Sequence, residues 1–400
     1  MRWHFLAFVC LLVSACAPGP AAPPALSKPT DHQVYVWQRL WTPAVNAAVE
    51  AAPGNITGFR VLVAEATAPA GWQPVRFSSP DTSAPSKRLG HPIAVIRVSG
   101  QRGIEEPEVE QHLFAWVAAQ RADGWGGLEV DYDCPTSRLP EYAAVLARLR
   151  GQLPAGWQLG ITALPAWIGS PALPALLTKV DSSVLQVHSV MRPQLGLFQA
   201  GLAVRWANEY ARIAPHLFRI ALPNYGSRVA WNKDGVITEV VSEDNAPLQP
   251  GSTELMTQPT EVARALAELQ RRRPSNLAGY VWFRLPVAGD RRIWSVDTWT
   301  AVMSGSPLRP SFILETEPNE NGATWLALRN TGNADGAFTG TVLQPTACLA
   351  VDAVRPFALE RGDNEVRWRA SGSVWLPAGQ QVYVGWTRCN PGKDKVTLAP

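Results

Sequence analysis

The acidic segment at residues 127–133 carries the clearest potential for chemistry; it reads Gly-Leu-Glu-Val-Asp-Tyr-Asp. Alternate side chains of a β-strand share a face, so Glu129, Asp131 and Asp133 form one row, with Cα atoms ~6.6–7 Å apart. Like charge and burial both raise the pKa of a carboxyl group, so we expect one of the three to hold a proton near neutral pH. A protonated carboxyl beside an ionised one can act as a general acid, as the cleavage of a glycosidic bond requires.

A buried network of ion pairs is the alternative interpretation of this row. Arg97, Gln186 and Arg284 lie in other apolar runs and are predicted to point inward, where they could neutralise the acids. Such networks shift pKa values without any catalysis. Val130 and Tyr132 are predicted to face the other way, towards surrounding helices.

The elements that must position this row form a repeating pattern. Eight short runs are rich in Val, Ile and Leu, as strands buried on both faces should be. They cover residues 33–38, 59–65, 92–99, 127–133, 158–164, 182–188, 218–223 and 278–285. Helices are predicted at 106–122, 139–151, 195–213 and 260–273. The pattern predicts an α/β fold, a (β/α)8 barrel over residues 32–308 with the acidic row at its C-terminal mouth. A doubly wound sheet is the main alternative.

The pattern changes after residue 308. Alternating strands are predicted at 312–315, 324–329, 338–343, 364–369 and 381–387, separated by Gly, Asn and Asp. They predict a small antiparallel β-sandwich of immunoglobulin-like type over residues 309–400. Cys348 and Cys389 share this region, and an oxidising compartment would allow them to form a disulfide.

The N-terminus predicts export and lipidation. Residues 5–13 form an uncharged apolar run that is too short to span a bilayer. It leads into Val13-Ser14-Ala15-Cys16, which resembles a lipobox, so residues 1–16 are interpreted as a signal peptide with Cys16 as the lipidated residue. The Pro- and Ala-rich residues 17–31 predict an extended tether. Ala17 favours the outer membrane, facing the periplasm or the cell surface. An ordinary signal peptide cut near Ala15 is the alternative.

Composition narrows the classes of partner. The 400 residues carry a net charge of only +3, which does not favour nucleic acid, and the run at 271–273 is interpreted as a solvated helix end. The lipid anchor is the only membrane contact expected. No Cys/His spacing suggests zinc, so neither a metal nor a cofactor is expected. We expect a monomer.

Three segments resemble family-18 glycoside hydrolases, the chitinases and their relatives. Residues 127–133 are similar to the fourth-strand signature Asp-Gly-x-Asp-x-Asp-x-Glu, with Asp133 in the place of the catalytic Glu. Pro223-Asn224-Tyr225-Gly226 resembles the seventh strand, and Gly279-Tyr280-Val281-Trp282 resembles the eighth, where a Trp forms the floor of the sugar site. Asp133 is one methylene shorter than Glu, which places the family's mechanism, attack by the substrate's own N-acetyl group, in doubt.

A longer resemblance, over residues 33 to 290, is to a bacterial family described as a domain of unknown function (DUF3142). It is carried by Tyr-Val-Trp-Gln-Arg at 35–39, Asp-Tyr-Asp-Cys-Pro-Thr-Ser at 131–137 and Ala-Leu-Pro-Ala-Trp at 163–167. This resemblance implies a barrel and export, and it implies no activity.

The candidate site residues divide into two groups. Asp133, Asp131, Glu129 and Glu65 are the predicted catalytic residues, although Glu65 could simply pair with Arg97. The predicted substrate-binding residues are Trp37, Arg39, Arg97, Trp167, His188, Tyr225, Trp282 and Arg284. The Trp residues could equally be core residues, and His188 and Tyr225 could be wall residues. Cys134 is an improbable nucleophile, because acidic neighbours raise the pKa of a thiol.

Three functions are compatible with these residues. The first is hydrolysis of a cell-envelope or extracellular polysaccharide, with Asp133 as general acid, Asp131 tuning its proton, and Glu65 or the substrate itself as second participant. The second is a barrel that binds a glycan without cleaving it, which the shorter Asp133 favours. The third and weakest is a divalent metal held by Asp131, Asp133 and His188.

Overall fold

The computed structural model describes most of the chain between residues 30 and 399. The described residues are 30–78, 86–99, 101–120, 124–188, 196–242, 252–319, 321–344, 348–362, 365–389 and 396–399. The predicted signal peptide, Cys16 and all but the last two residues of the predicted tether lie outside them. Within the described ranges, no helix has the length and apolar character needed to cross a membrane.

Eight parallel strands close into a barrel. In chain order the strands of this region are β1 (Asp31–Val36), β2 (Leu40–Trp41), β3 (Ile56–Thr67), β4 (Gly71–Pro74), β5 (Arg76–Phe77), β6 (Ile93–Val98), β7 (Gly127–Tyr132), β8 (Gln158–Ala163), β9 (Ser182–Gln186), β10 (Phe218–Pro223), β11 (Gly226–Trp231), β12 (Ile237–Val241), β13 (Ser252–Met256) and β14 (Leu277–Phe283). Parallel pairing runs in the order β1-β3-β6-β7-β8-β9-β10-β14, and β14 pairs with β1. The predicted (β/α)8 barrel is confirmed, and the doubly wound sheet is wrong.

Helices surround the barrel. They are α1 (Pro43–Glu50), α2 (Pro107–Ala118), α3 (Leu139–Arg150), α4 (Leu173–Leu177), α5 (Ala200–Ala211), α6 (Pro259–Arg271) and α7 (Val296–Ser304). Proline stands in the first turn of α1, α2, α3, α4 and α6, where its missing N–H has no helical partner to lose. The sequence predicted α2, α3, α5 and α6 and missed the other three. Short helices of five to nine residues carry too few turns for a clear apolar period.

Alternation along the strands separates the two faces of the barrel wall. Val130 and Tyr132 of β7 are fully buried in the core between strands and helices, as predicted. On the inner face, Val95, Val184 and Val281 pack together in a separate apolar cluster. The interior is therefore filled by side chains, and a site can open only at its mouth.

An inserted three-stranded sheet follows β10. Its strands pair antiparallel in the order β12-β11-β13, and they precede α6. The sequence pattern did not predict this sheet. Its outer strands are largely exposed and mix charged and small polar residues with Ile and Val, so they lack the apolar run of a barrel strand.

The C-terminal region contains two four-stranded antiparallel sheets and one strand pair. Its strands are β15 (Phe312–Pro318), β16 (Thr324–Asn330), β17 (Gly336–Phe338), β18 (Thr341–Gln344), β19 (Ala350–Ala353), β20 (Phe357–Arg361), β21 (Val366–Ala370), β22 (Val374–Leu376), β23 (Gln381–Arg388) and β24 (Thr397–Ala399). The sheets run β15-β16-β23-β19 and β20-β21-β18-β24, and β17 pairs with β22. One apolar core contains Leu326 and Val384 of the first sheet with Val342 and Trp368 of the second, as in a sandwich.

Two details of this region bear on the predictions. The predicted disulfide between Cys348 and Cys389 is confirmed. The predicted single strand at 338–343 is wrong, because it divides into β17 and β18. At the break, a Cβ on Gly340 would lie 2.7 Å from the carbonyl oxygen of Ala399, so the backbones approach too closely for another residue.

A buried aspartate joins the barrel region to the sandwich. Asp335 accepts hydrogen bonds from the backbone N–H of Ser295 (2.9 Å), the hydroxyls of Ser295 (2.6 Å) and Thr298 (2.8 Å), and the backbone N–H of Ala378 (2.9 Å). Trp375 of β22 also packs against the barrel core. Asp335 therefore ties the start of α7 to two turns of the C-terminal region.

We expect Asp335→Ala to lower the free energy of unfolding by about 2–3 kcal/mol, because buried donors would lose their acceptor. Urea unfolding followed by tryptophan fluorescence measures this change. Asp352→Ala, at an exposed aspartate of the same region, should change stability by less than about 0.5 kcal/mol. Equal losses in the two variants would contradict the role given to Asp335.

Candidate active site

Strand β7 places the acidic row as the sequence predicted. Glu129 and Asp131 point into the barrel, and Asp133 follows the strand at its C-terminal end. The side chains of Asp131 and Asp133 both line a cavity at the mouth, whereas Glu129 lies deeper and does not reach it. The three acids therefore have different environments and cannot share one role.

Glu129 is half of a buried ion pair. Its carboxylate accepts hydrogen bonds from the guanidinium of Arg60 and from the hydroxyl of Tyr35 (2.6 Å), and Arg60 also donates to Gln33 (3.0 Å). Neither charged side chain of the pair is exposed by more than 3%. A fully paired carboxylate outside the cavity lining is poorly placed to transfer a proton to a ligand, so this geometry gives no support to the predicted catalytic role of Glu129.

Asp131 is held by two neighbouring strands. Its Oδ1 accepts hydrogen bonds from the Thr162 hydroxyl (2.5 Å) and the Gln186 amide (3.1 Å), and its Oδ2 lies 4.0 Å from Nε of Arg97. Burial and the nearby Asp133 carboxyl raise the pKa of Asp131 to about 7, against the opposing charge of Arg97. Asp131 is thus a carboxyl that exchanges its proton near neutral pH.

Asp133 lies two residues further along, at the cavity wall. Burial raises the pKa of its carboxyl, and Arg97 lowers it in part. Its Oδ1 is buried, and no hydrogen-bond partner for it exists among the described residues. A protonated Asp133 therefore has an oxygen available for a ligand in the cavity.

Glu65 is bound by two arginines. Its carboxylate accepts hydrogen bonds from Nε and Nη2 of Arg39, the latter at 2.7 Å, and lies 3.8 Å from Nη1 of Arg97. Arg97 in turn lies over the ring of Trp37, 5.9 Å from its centre. Neither Glu65 nor Arg39 lines the cavity, so this geometry gives no support to Glu65 as a second catalytic carboxylate or to Arg39 as a direct ligand contact.

His188 and Tyr225 form a pair that also lines the cavity. Nδ1 of His188 lies 3.2 Å from the Tyr225 hydroxyl, and Phe283 stacks beside the imidazole at 5.6 Å. Burial lowers the pKa of His188 to about 4, so the imidazole is neutral at physiological pH. Over the described residues, no three His, Cys, Asp or Glu side chains are grouped as ligands of a metal ion would be.

The cavity itself has a volume of about 1080 Å³ and two contrasting walls. Its polar wall consists of Arg97, Asp131, Asp133, Thr162, Gln186, His188 and Tyr225. Its apolar wall is formed by Trp37, Leu197, Phe198, Trp206, Val240 and Phe283. The sequence did not predict Thr162, Phe283, the residues around α5, or Val240 of the inserted sheet. A barrel pattern identifies strand ends, but it does not indicate which loops fold over them.

Besides Arg39, three further predicted binding residues lie outside the cavity. Trp282 is fully buried between β14 and α7, where it donates to His32 (3.0 Å) and contacts Trp299. Val281 and Phe283 occupy the inner face of β14. Because adjacent residues of a strand face opposite sides, Trp282 points outward, and Phe283 lines the cavity where Trp282 was predicted to lie.

Trp167 and Arg284 are also displaced from the cavity. Trp167 is fully buried and donates its indole N–H to the carbonyl of Cys134 (3.0 Å). Arg284 is buried beside Asp290, at 3.5 Å, and does not reach the acids of β7. Burial also raises the pKa of the Cys134 thiol to about 12, in accord with the view that Cys134 is no nucleophile.

Two segments of the chain match known protein families. Residues 90–288 match the family described as "Domain of unknown function (DUF3142)". This match confirms the resemblance of the barrel to the DUF3142 family. It runs from just before β6 to just after β14, and thus includes the acidic row of the barrel. Residues 313–390 match a second family, "Domain of unknown function (DUF8456)", and no curated protein matches the chain.

Solved structures similar to this chain include a spore cortex-lytic enzyme and chitinases. The spore cortex-lytic enzyme SleL of Bacillus cereus is 12% identical, with a TM-score of 0.47 over 70% of this chain and 74% of that one. A chitinase from Chromobacterium violaceum is 13% identical, with a TM-score of 0.47 over 69% of this chain and 99% of that one. Structures this dissimilar give no information on the activity of this chain, so the activity has to be inferred from its cavity.

Proposed function

We propose that this chain hydrolyses glycosidic bonds of a cell-envelope or extracellular polysaccharide, with Asp133 as the general acid. One observation carries the proposal: two neighbouring carboxyl groups, both with raised pKa values, line one cavity at the mouth of the barrel. Enzymes use such pairs to keep an acid protonated near neutral pH.

Asp133 transfers a proton to the glycosidic oxygen in this mechanism. Asp133 lines the cavity, and its buried Oδ1 has no hydrogen-bond partner among the described protein groups, so its carboxyl group is not committed to another side chain through that oxygen. Asp131 is fixed by Thr162 and Gln186, and its own titration near pH 7 sets the charge beside Asp133. Asp131 therefore tunes the proton affinity of the acid and orients the substrate.

The second participant comes from the substrate or from water. A retaining or inverting pair needs a carboxylate on the opposite side of the sugar from the acid. Among the described residues, the cavity carboxyls are Asp131 and Asp133, which share one face of β7, and Glu65 is occupied by Arg39 and Arg97. A group of the substrate itself, or a water molecule, is left to attack the anomeric carbon as its bond to the protonated glycosidic oxygen breaks. The proton that water releases then returns to the Asp133 carboxylate.

The aromatic wall supplies the binding surface for sugar rings. Trp206 and Phe283 are half-buried side chains of the cavity lining, on which the C–H faces of pyranose rings can pack, and the more deeply buried Trp37 and Phe198 add apolar surface beside them. The polar side chains of the cavity supply the small number of hydrogen-bonding groups that fix the orientation of the sugar ring.

A second candidate function is glycan binding without cleavage. Asp133 is one methylene shorter than the Glu that chitinase-like signatures carry at this position. A displacement of about 1 Å can reduce a rate by roughly 100-fold, which would leave a binding site with negligible turnover. The two functions differ in whether product is released.

Export and lipidation complete the proposal. Cys16 would carry the lipid at the outer membrane, and the 15-residue tether 17–31, extended at ~3.1 Å per residue, would reach about 45 Å. We expect palmitate labelling of the chain in bacterial cells and its loss in Cys16→Ala. Labelling that persists in Cys16→Ala would contradict the anchor.

A screen of polysaccharides tests the enzymatic proposal. The chain is incubated with chitin, peptidoglycan and cellulose, and released reducing ends are measured. We expect one polymer to be cleaved by the unaltered chain and not by Asp133→Asn. Equal release by both proteins would show that Asp133 is not the acid.

A further inference from the structure

The outer face of the sheet β15-β16-β23-β19 carries an unusual set of side chains. Leu326 and Val384 point into the sandwich core, so Trp325 and Tyr383, adjacent to them in sequence, point outward. Trp386 lies directly opposite Trp325 in the antiparallel register and shares its face. The outer face thus gathers three large aromatic side chains on two neighbouring strands.

These aromatic side chains are partly open to solvent. Tyr383 is 40% exposed, Trp325 and Trp386 are half-buried, and the rings of Trp325 and Tyr383 are 5.3 Å apart. None of the three belongs to the described core clusters of barrel or sandwich. A clustered, exposed aromatic surface usually marks a binding site.

Hydrogen-bonding groups surround the aromatic rings. Glu317 accepts hydrogen bonds from the Tyr383 hydroxyl (3.0 Å) and from the Gln381 amide (3.4 Å). Across the register, Glu317 lies opposite Trp325, and Asp352 lies opposite Trp386. One row across the sheet therefore reads carboxylate, indole, indole, carboxylate. Three interstrand spacings of ~4.8 Å give it a span of about 14 Å.

The charges of this face are close to balance. The face carries three carboxylates and two guanidinium groups, which belong to Glu315, Glu317 and Asp352 and to Arg329 and Arg388. Arg388 lies at the end of β23, and Arg329 pairs with Glu315 at 3.4 Å. A slight excess of negative charge disfavours acidic glycans and anionic lipid surfaces. Neutral sugars offer C–H faces to the indoles and hydroxyls to the carboxylates and amide.

We propose that this face, defined by Trp325, Tyr383, Trp386 and Glu317, binds a neutral polysaccharide chain independently of the barrel cavity. The sandwich would hold the polymer at the surface of the protein, so that the barrel cavity acts on a polymer that is already bound. The site does not depend on hydrolysis, and its binding would persist if the barrel proved inactive.

Retention of the whole chain on insoluble cellulose and chitin, in mild detergent, tests this site. Alginate gel serves as the acidic polymer, and Trp37→Ala removes an aromatic contact of the barrel cavity. We expect retention on at least one neutral polymer, little on alginate, and roughly tenfold weaker retention for Trp386→Ala and for Tyr383→Ala. Leu349→Ala removes a 71% exposed apolar side chain outside this face and should change nothing.

Three results would overturn the proposal. The first is that neither neutral polymer retains the unaltered chain. The others are that Leu349→Ala and Trp386→Ala weaken retention equally, or that only Trp37→Ala weakens it. Sedimentation of each variant distinguishes one further outcome. If Trp386→Ala converts a dimer to a monomer without altering retention, the face joins two copies of this chain. Thermal melts confirm that the variants fold, and Tyr383→Ala at an exposed position is the safer of the two.

Discussion

Replacing Asp131 by asparagine is expected to stabilise the protein at pH 8 while slowing hydrolysis by about 100-fold or more. Burial and Asp133 raise the pKa of Asp131 to about 7, above its ordinary value of 3.8. The folded chain therefore keeps a proton that the unfolded chain has already released. The contribution of this group to stability falls as the pH rises from about 4 through 7, because the folded state must then bury a charge.

Asparagine removes that charge and keeps an oxygen acceptor for Thr162 and Gln186. The expected gain is on the order of 2 kcal/mol at pH 8 and smaller at pH 5. Turnover falls, because an amide cannot exchange a proton beside Asp133. Urea unfolding at both pH values and reducing-end release measure the two effects. Asp234→Asn, in an exposed turn of the inserted sheet, is the matched control. A variant that is less stable at pH 8, or equally active, would contradict the titrating pair.

Replacing Arg60 by methionine is expected to lower the free energy of unfolding by about 3–5 kcal/mol, because it leaves Glu129 as an unpaired charge in the barrel. Arg60 and Glu129 are 3% and 0% exposed, so water cannot replace the lost partner. The double variant Arg60→Met, Glu129→Leu removes both charges and should recover most of this loss.

The ion pair of Arg148 with Glu110 provides the comparison. Arg148 is 51% exposed, and Arg148→Met should change stability by less than about 1 kcal/mol. Urea unfolding of these three variants and of Glu129→Leu, beside the unaltered chain, gives the coupling energy between Arg60 and Glu129. A double variant no more stable than Arg60→Met would mean that Glu129 does not act through its pairing with Arg60.

Sequence alternation sufficed to predict the row on β7, because a strand buried on both faces leaves its acids few places to go. Trp282 was assigned to the cavity from the family resemblance, but Phe283 lines the cavity, since adjacent residues of a strand face opposite sides. Alternation fails where a strand is irregular. In β3 an irregularity near Val63 brings Arg60 and Glu65 to the same inner face, although they are five positions apart.

The sequence alone could not predict the cavity residues that come from distant loops. Phe198 and Trp206 flank or lie within α5, and Val240 belongs to an inserted sheet with little apolar pattern. Their approach to Asp133 depends on how loops fold over the mouth of the barrel. The partners of Asp131 were partly foreseen, since Gln186 was expected to point inward, whereas Thr162 was not noticed in an otherwise apolar strand.

The most direct test of the central claim measures turnover and binding together for one polysaccharide. The unaltered chain and Asp133→Asn are compared by reducing-end release and by equilibrium binding of the same soluble fragment. We expect Asp133→Asn to lose 10²–10⁴-fold in kcat, in line with the usual contribution of a general acid, with a dissociation constant changed by less than about threefold. Binding by the unaltered chain without any release of product, and unchanged in Asp133→Asn, would contradict hydrolysis and leave a glycan-binding barrel.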